Sequence, residues 1–124
     1  MDEYKRQFEE ASKPDAIDLV GRWRVKVRSG VLPDTSHLGH IKIIKRNGKW
    51  LRGHNRTAYI PWGYFHIRYN TSNPASVLFV YDAGHFIDEV RKINADSLIG
   101  IYRLSTDRDI ELSAKGYFTM ERVK

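Results

Sequence analysis

Three groups of side chains in this 124-residue sequence could do chemistry. In YFHIRY, Tyr64, His66 and Arg68 alternate and so share one face of an extended segment. Turned inward they would bind a carboxylate or move a proton; turned outward, the plainer reading, they are solvated. His85, Asp88 and Arg91 in HFIDEVRKI form a second polar set, with Tyr81 just before it. The third group is aromatic: Trp50, Tyr59, Trp62, Tyr64, Phe65 and Tyr69, followed by Phe79, Tyr81, Phe86 and Tyr102. Rings with a few hydroxyls suit the wall of a cavity for a planar or acyl molecule. A solid aromatic core is the plainer alternative, but buried tyrosine hydroxyls need partners, which weighs toward a cavity.

Other chemistries lack their residues. There is no cysteine, hence no disulfide framework, thiolate metal site or cysteine nucleophile. His37 and His40 could meet only across a turn and have no acidic third ligand at a diagnostic spacing, so no metal is expected. Glycine-rich phosphate loops, a GxSxG elbow and HExxH are absent, and no cofactor is called for. An enzyme without a signature motif, such as a cofactor-free lyase or isomerase, stays open as an alternative.

A net charge of +6 and an isoelectric point near 9.7 favour anionic partners. The cations are spread along the chain and interleaved with fifteen acids, so an ordinary basic surface is the plainer reading. Nucleic-acid binding would rest on Arg22, Arg24, Lys26 and Arg28, with Lys42, Lys45, Arg46, Lys49 and Arg52. Trp23 alternates with those arginines and faces away from them, and the first strand has no ring on their side. The charged N-terminus has no apolar secretory region and no stretch is long and apolar enough to span a bilayer, so a cytoplasmic protein is expected. The sequence leaves a homodimer open.

These residues must be held by strands. Residues 2–12 place Tyr4, Phe8 and Ala11 on one stripe of a short amphipathic helix, within an N-terminal segment 1–13 that Pro14 closes. From Gly21 onward the punctuation is all-β. Strands are expected at 22–28, 38–46, 49–53, 56–60, 63–70, 76–81, 85–93, 98–104 and 109–123, the last broken at 114–116. Asn47-Gly48 reads as a type I′ hairpin turn, and Asp82-Ala83-Gly84, 94–97 and 106–109 are further turns. Segment 85–93 has a helical stripe of Phe86, Ile87, Val90 and Ile93, but nine residues between tight turns suit a strand, with Asp88 and Arg91 as inward polar candidates. The expected fold is a single antiparallel up-and-down β-barrel over 21–124, with the helix on or near one end; closure removes sheet edges.

Asp18-Leu-Val-Gly-Arg-Trp23 resembles the opening of the lipocalin and calycin barrels, where a helical turn leads into glycine-x-tryptophan on the first strand. The resemblance implies structural roles for Gly21 and Trp23, and a basic residue on the last strand, here Arg122, covering the indole. Tyr81, Asp82, Ile87, Asp88, Arg91 and Gly100 are similar to a succession in small bacterial barrels of uncharacterised function, although Val25 stands where some of those proteins carry the second glycine of GxWxG. The expected function is binding of a small hydrophobic or aromatic, anionic ligand inside the barrel. Trp62, Phe65, Tyr69, Phe79 and Phe86 would meet its apolar part and Arg91, His85 or Tyr81 its polar end, with Asp88 and Tyr102 also among the ligand-binding residues.

Overall fold

A computed structural model describes residues 2–104 and 114–124. After helices α1 (Glu3–Glu10) and α2 (Ala16–Leu19) come eight strands: β1 (Gly21–Val27), β2 (Ile41–Asn47), β3 (Trp50–Thr57), β4 (Ile60–Tyr69), β5 (Val77–Tyr81), β6 (Phe86–Asn94), β7 (Ser97–Leu104) and β8 (Ala114–Arg122). Each is antiparallel to the next, and β8 pairs back onto β1, closing the barrel. The expected turn at 106–109 and the start of the expected last strand, 109–113, lie outside the described residues; the expected break at 114–116 is not found, since Gly116 pairs with Tyr102 and Ala114–Arg122 run as one strand.

Alternation decides which side chains enter. Trp23, Val25 and Val27 of β1 face inward, and the cross-strand partners carry the same phase around the wall: Trp23 lies opposite Lys42, Lys42 opposite Asn55, and Phe79 opposite Asp88. Segment 85–93 is strand β6, and its even positions Phe86, Asp88 and Val90 point in. Arg91, three residues beyond Asp88, therefore points out, which corrects its expected place in the cavity.

Three strand boundaries differ from the expected ones. Residues 50–57 make one strand where two were expected, because Asn55, a residue type common in turns, sits mid-strand with its amide in the interior, and β4 starts at Ile60 instead of 63. The turn is Ala58-Tyr59, two non-glycine residues at φ +51° and +69°, a conformation that costs roughly 1–2 kcal/mol per residue. The Ala58 N–H donates to the Leu38 carbonyl at 2.8 Å. In the β2–β3 hairpin Asn47 pairs with Trp50, so the turn residues are Gly48-Lys49, with positive φ only at Gly48, the type II′ arrangement and not the expected I′. Residues 38–40 are a short 3-10 turn and its left-handed cap at Gly39, not strand.

The lower half of the barrel is solid. Leu19, Trp23, Ile44, Leu51, Phe65, Phe79, Val90, Leu98 and Met120 pack there. Trp23 is fully buried, donates its indole N–H to the Leu19 carbonyl at 2.9 Å, and has the Arg122 guanidinium 4.3 Å over its ring. Arg122 also donates to the carbonyls of Asp18 and Val20, tying α2 across this end. A Cβ on Gly21 would lie 2.8 Å from the Arg122 guanidinium, and its φ of +137° suits only glycine.

Helix α1 docks on the outer side of the barrel, not on an end. Its stripe meets β7: Phe8 packs with Ile99 and Ile101, flanked by Tyr4, Ala11 and Tyr117. Arg91 stacks 4.2 Å from the Phe8 ring and donates to the Phe8 carbonyl, near the helix C-terminus. Ser76 and Glu89 complete this buried outer cluster, Glu89 also receiving Arg103 at 3.0 Å. Trp23→Ala should lower stability by about 3–5 kcal/mol; urea denaturation that leaves the variant as stable as the parent would remove the tryptophan from the core.

Candidate functional site

The upper half of the barrel, toward the β1–β2, β3–β4 and β5–β6 turns, is hollow. A cavity of about 270 Å³ is lined by Val25, Val27, Leu32, Trp62, Ala83, Phe86, Tyr102 and Phe118, with His40, Lys42, Asn55, Gly63, Tyr81 and Asp88 at its base. Part of the 28–40 segment closes over it, where Leu32 N–H donates to the Tyr102 hydroxyl at 3.0 Å and that hydroxyl donates to the Ser29 carbonyl.

Trp62 reaches the cavity because β4 carries a bulge. Gly53 pairs with Phe65 but Asn55 with Trp62, so two residues of β4 oppose one of β3 and the inward phase shifts by one. Gly63 supplies the bulge with φ +57°, and a Cβ there would lie 2.9 Å from the Asn55 amide nitrogen. Trp62 is 43% exposed, donates to the Thr57 hydroxyl and lies 5.5 Å from the His40 ring, which places it on the rim.

The base of the cavity is a closed hydrogen-bond network. Lys42, 3% exposed, directs its ammonium to the Asn55 carbonyl oxygen at 2.7 Å, the Tyr81 hydroxyl at 2.5 Å and Asp88, itself 2% exposed, at 3.5 Å. The Tyr81 hydroxyl in turn donates to Asp88 at 3.1 Å and accepts from the Asn55 amide, which also donates to the Gly63 carbonyl. Those two donations fix the amide orientation, so Asn55 Oδ1 is the acceptor and His40 must present a protonated Nε2 to it at 2.9 Å. His40 Nδ1 is buried without a partner, as suits a neutral imidazole. The rings of Phe65, Tyr81 and Phe118 stand 5.2–5.7 Å from the ammonium.

Burial dominates the titration of these groups. It pulls the Lys42 amine below its ordinary range, against the attraction of Asp88, and pushes the Asp88 carboxyl up against the attraction of Lys42. It also raises the Tyr81 phenol, reinforced by the charge of Asp88, and lowers His40, reinforced by Lys42. With one carboxylate and one ammonium, the network is neutral as a unit, and its donors and acceptors serve one another except at His40 Nδ1.

Of the expected ligand residues, Trp62, Tyr81, Phe86, Asp88 and Tyr102 come together at the cavity. Phe65 and Phe79 stack on each other at 4.8 Å in the solid core and do not line it. Tyr69 is exposed at the opposite end, beneath the Lys13 ammonium. His85 is exposed in the β5–β6 turn, and Arg91 holds α1 outside. Tyr64, His66 and Arg68 face outward, His66 3.4 Å from Asp82. Lys42, Asn55 and His40 were not expected here; Lys42 was counted among the surface cations, whereas it lies inside.

No protein-family model matches the chain, and no curated protein matches it. Among solved structures, the crystal structure of a protein from Thermomonospora curvata matches across 100% of this chain and 89% of that one, with a TM-score of 0.57 and 16% identity. What they share is the fold. Among the described residues no helix is long and apolar enough to cross a membrane, and no cluster of three His, Cys, Asp or Glu could hold a metal.

Two outcomes test this geometry. Lys42→Met or Asp88→Asn alone leaves a buried, unmatched polar group and should cost about 3–5 kcal/mol, while the double variant should recover most of that loss; a double variant as unstable as the summed singles would show that the pair is not coupled. Because folding lowers the His40 pKa below its ordinary 6.5, the unfolded chain binds a proton there that the folded protein refuses. Stability contributed by neutral His40 should fall as pH drops below about 6.5, by at most about 1.4 kcal/mol per pH unit. His40→Gln should flatten denaturation curves between pH 7 and 5; an unchanged slope would count against a buried neutral imidazole.

Proposed function

We propose that the protein binds one small, largely apolar molecule in the upper cavity of a lipocalin-like barrel. The observation that carries this reading is the 270 Å³ hollow walled by Val25, Val27, Leu32, Phe86 and Phe118 and rimmed by Trp62. Burying apolar ligand surface against such walls contributes about 25 cal/mol per Å² before the costs of association. The glycine-x-tryptophan opening and the Arg122–Trp23 stack at the far end support the lipocalin-like description of a barrel plugged at its lower end.

The ligand's charge is read differently from the sequence expectation of an anion. Arg91, the cation expected to meet it, is outside the barrel, and the donors of Lys42 are committed to Asn55, Tyr81 and Asp88. A carboxylate entering the cavity would have to break that network and leave Asp88 without its counter-charge. A neutral aromatic molecule, stacked on Trp62 and Phe86, meets no such cost.

N-phenyl-1-naphthylamine, a neutral fluorophore, should bind with one-to-one stoichiometry, change the tryptophan emission and show the same affinity from about 50 to 500 mM NaCl, since no phosphate-like contact is involved. Val27→Trp, which fills the cavity from its wall, should weaken binding at least tenfold with the fold retained. Unchanged binding in that variant, or affinity that falls steeply with salt, would contradict the cavity reading.

A further inference from the structure

Acids and bases are not evenly mixed in this chain. Residues 20–81 contain eleven Lys or Arg and a single acid, Asp34, so they carry +10 and the remainder −4 of the net +6. The interleaving expected from the totals holds at the two ends of the chain and fails in its middle. That middle is β1 to β5, and the register turns the segregation into a surface. Since Trp23, Lys42, Asn55 and Phe65 point in, the alternate residues point out: Arg22 and Arg24 of β1, Lys45 of β2, Arg52 and Arg56 of β3, and Arg68 of β4. The rungs Arg22–Ile43–His54 and Lys45–Arg52–His66 run across neighbouring strands. Strands lie about 4.8 Å apart and same-face residues recur about every 6.7 Å along each.

The few acids nearby are engaged. Asp34 accepts from the backbone of Val27 and Ser36 and from the Ser36 hydroxyl. Asp82 is taken by Arg52 at 2.6 Å and faces His66, and Glu121, opposite Arg24 on β8, accepts from Ser97. Within this wall Tyr64, 52% exposed, stacks on the His54 ring at 5.4 Å and 27°. The first strand has no ring beside its arginines; the nearest stack on this wall, Tyr64 on His54, comes from β4 and β3, where Tyr64 alternates outward with inward Phe65.

We propose that the outer wall of β1–β4 binds single-stranded nucleic acid, with phosphates on the outward cations Arg22, Arg24, Lys45 and Arg56 and an unpaired base on the Tyr64–His54 stack. A barrel wall offers no projecting helix or ribbon to enter a duplex groove, and an exposed ring amid cations needs a base released from pairing. Ile43 is buried and Ile41 half-buried, and the exposed apolar ring on this face is Trp50, 66% exposed beside Arg52 and Arg68, an aromatic plane on which a second unpaired base can stack; comparison with vesicles separates this from a bilayer anchor. The proposal is independent of the cavity.

Fluorescence anisotropy of labelled twelve-nucleotide oligothymidylate tests it. The log affinity should fall with log salt at a slope of about −3, four phosphates at roughly 0.7 each. Tyr64→Ala should weaken binding about 5- to 150-fold while Tyr64→Phe retains it, and Arg22→Gln with Arg56→Gln should flatten the slope by about 1.4. Thermal melting identifies folded variants, and both positions face solvent or lie half-buried on the outside. Affinity for a twelve-base-pair duplex equal to or above that for the single strand, a folded Tyr64→Ala protein that binds like the parent, or binding to phosphatidylglycerol vesicles with none to the oligonucleotide would each overturn the proposal.

Discussion

The structure turns on a single ion placed where ions are costly. Lys42 enters the barrel opposite Trp23, and the interior around it is arranged to hold its charge. Asp88 matches it from the far wall, Tyr81 and Asn55 take its hydrogen bonds, and three aromatic rings surround it. Removing two charges from water costs several kcal/mol per ion even after relaxation, so the pair is weak evidence for stability and good evidence for a fixed geometry. Four strands, β2, β3, β5 and β6, supply the network, which sets their relative register across the barrel.

The network also divides the barrel. Below it the side chains of Phe65, Phe79, Ile44, Leu98 and Met120 fill the interior up to the Trp23 plug, and above it the chain leaves space. A floor whose donors and acceptors, His40 Nδ1 apart, serve one another presents little free polarity to that space, so the cavity is largely an apolar container despite the ions beneath it. The bulge at Gly63 links the two levels: it brings Trp62 to the rim and aims the Asn55 amide at the Gly63 carbonyl.

Much of the barrel was legible because alternation and turn chemistry are local. Trp23 among four cations and the turns at 82–84 and 94–97 could be read without the structure, whereas the Ala58-Tyr59 turn could not. The floor was less legible for a specific reason. In HIKIIKR both faces of the strand carry isoleucine, so the hydrophobic pattern does not reveal that Lys42 shares the face of Ile44. Phase would have revealed it, since any two-residue turn near residue 48 places Lys42 on the same face as residue 53 or 55, and the pairing of β1 with β2 places it beside Trp23. The shift of the turn from Asn47-Gly48 to Gly48-Lys49 keeps that face and changes only the partner, from Gly53 to Asn55. Arg91 was misplaced by the opposite error: His85, Asp88 and Arg91 recur at helical spacing, and in a strand residues three apart lie on opposite faces. Asn55 was hidden by its residue type, which reads as a turn wherever tertiary partners are unseen.

The central claim, that function resides in the apolar space above the Lys42 network, is tested most directly by amide chemical-shift mapping during titration with a neutral aromatic ligand. The account predicts saturable shifts concentrated at Val25, Val27, Lys42, Gly63, Phe86, Tyr102 and Phe118, with the amides of Leu51, Ile67 and Leu98 in the lower core little moved. Shifts confined to the outer strand faces, or no saturable shift at any amide that lines the cavity, would contradict it.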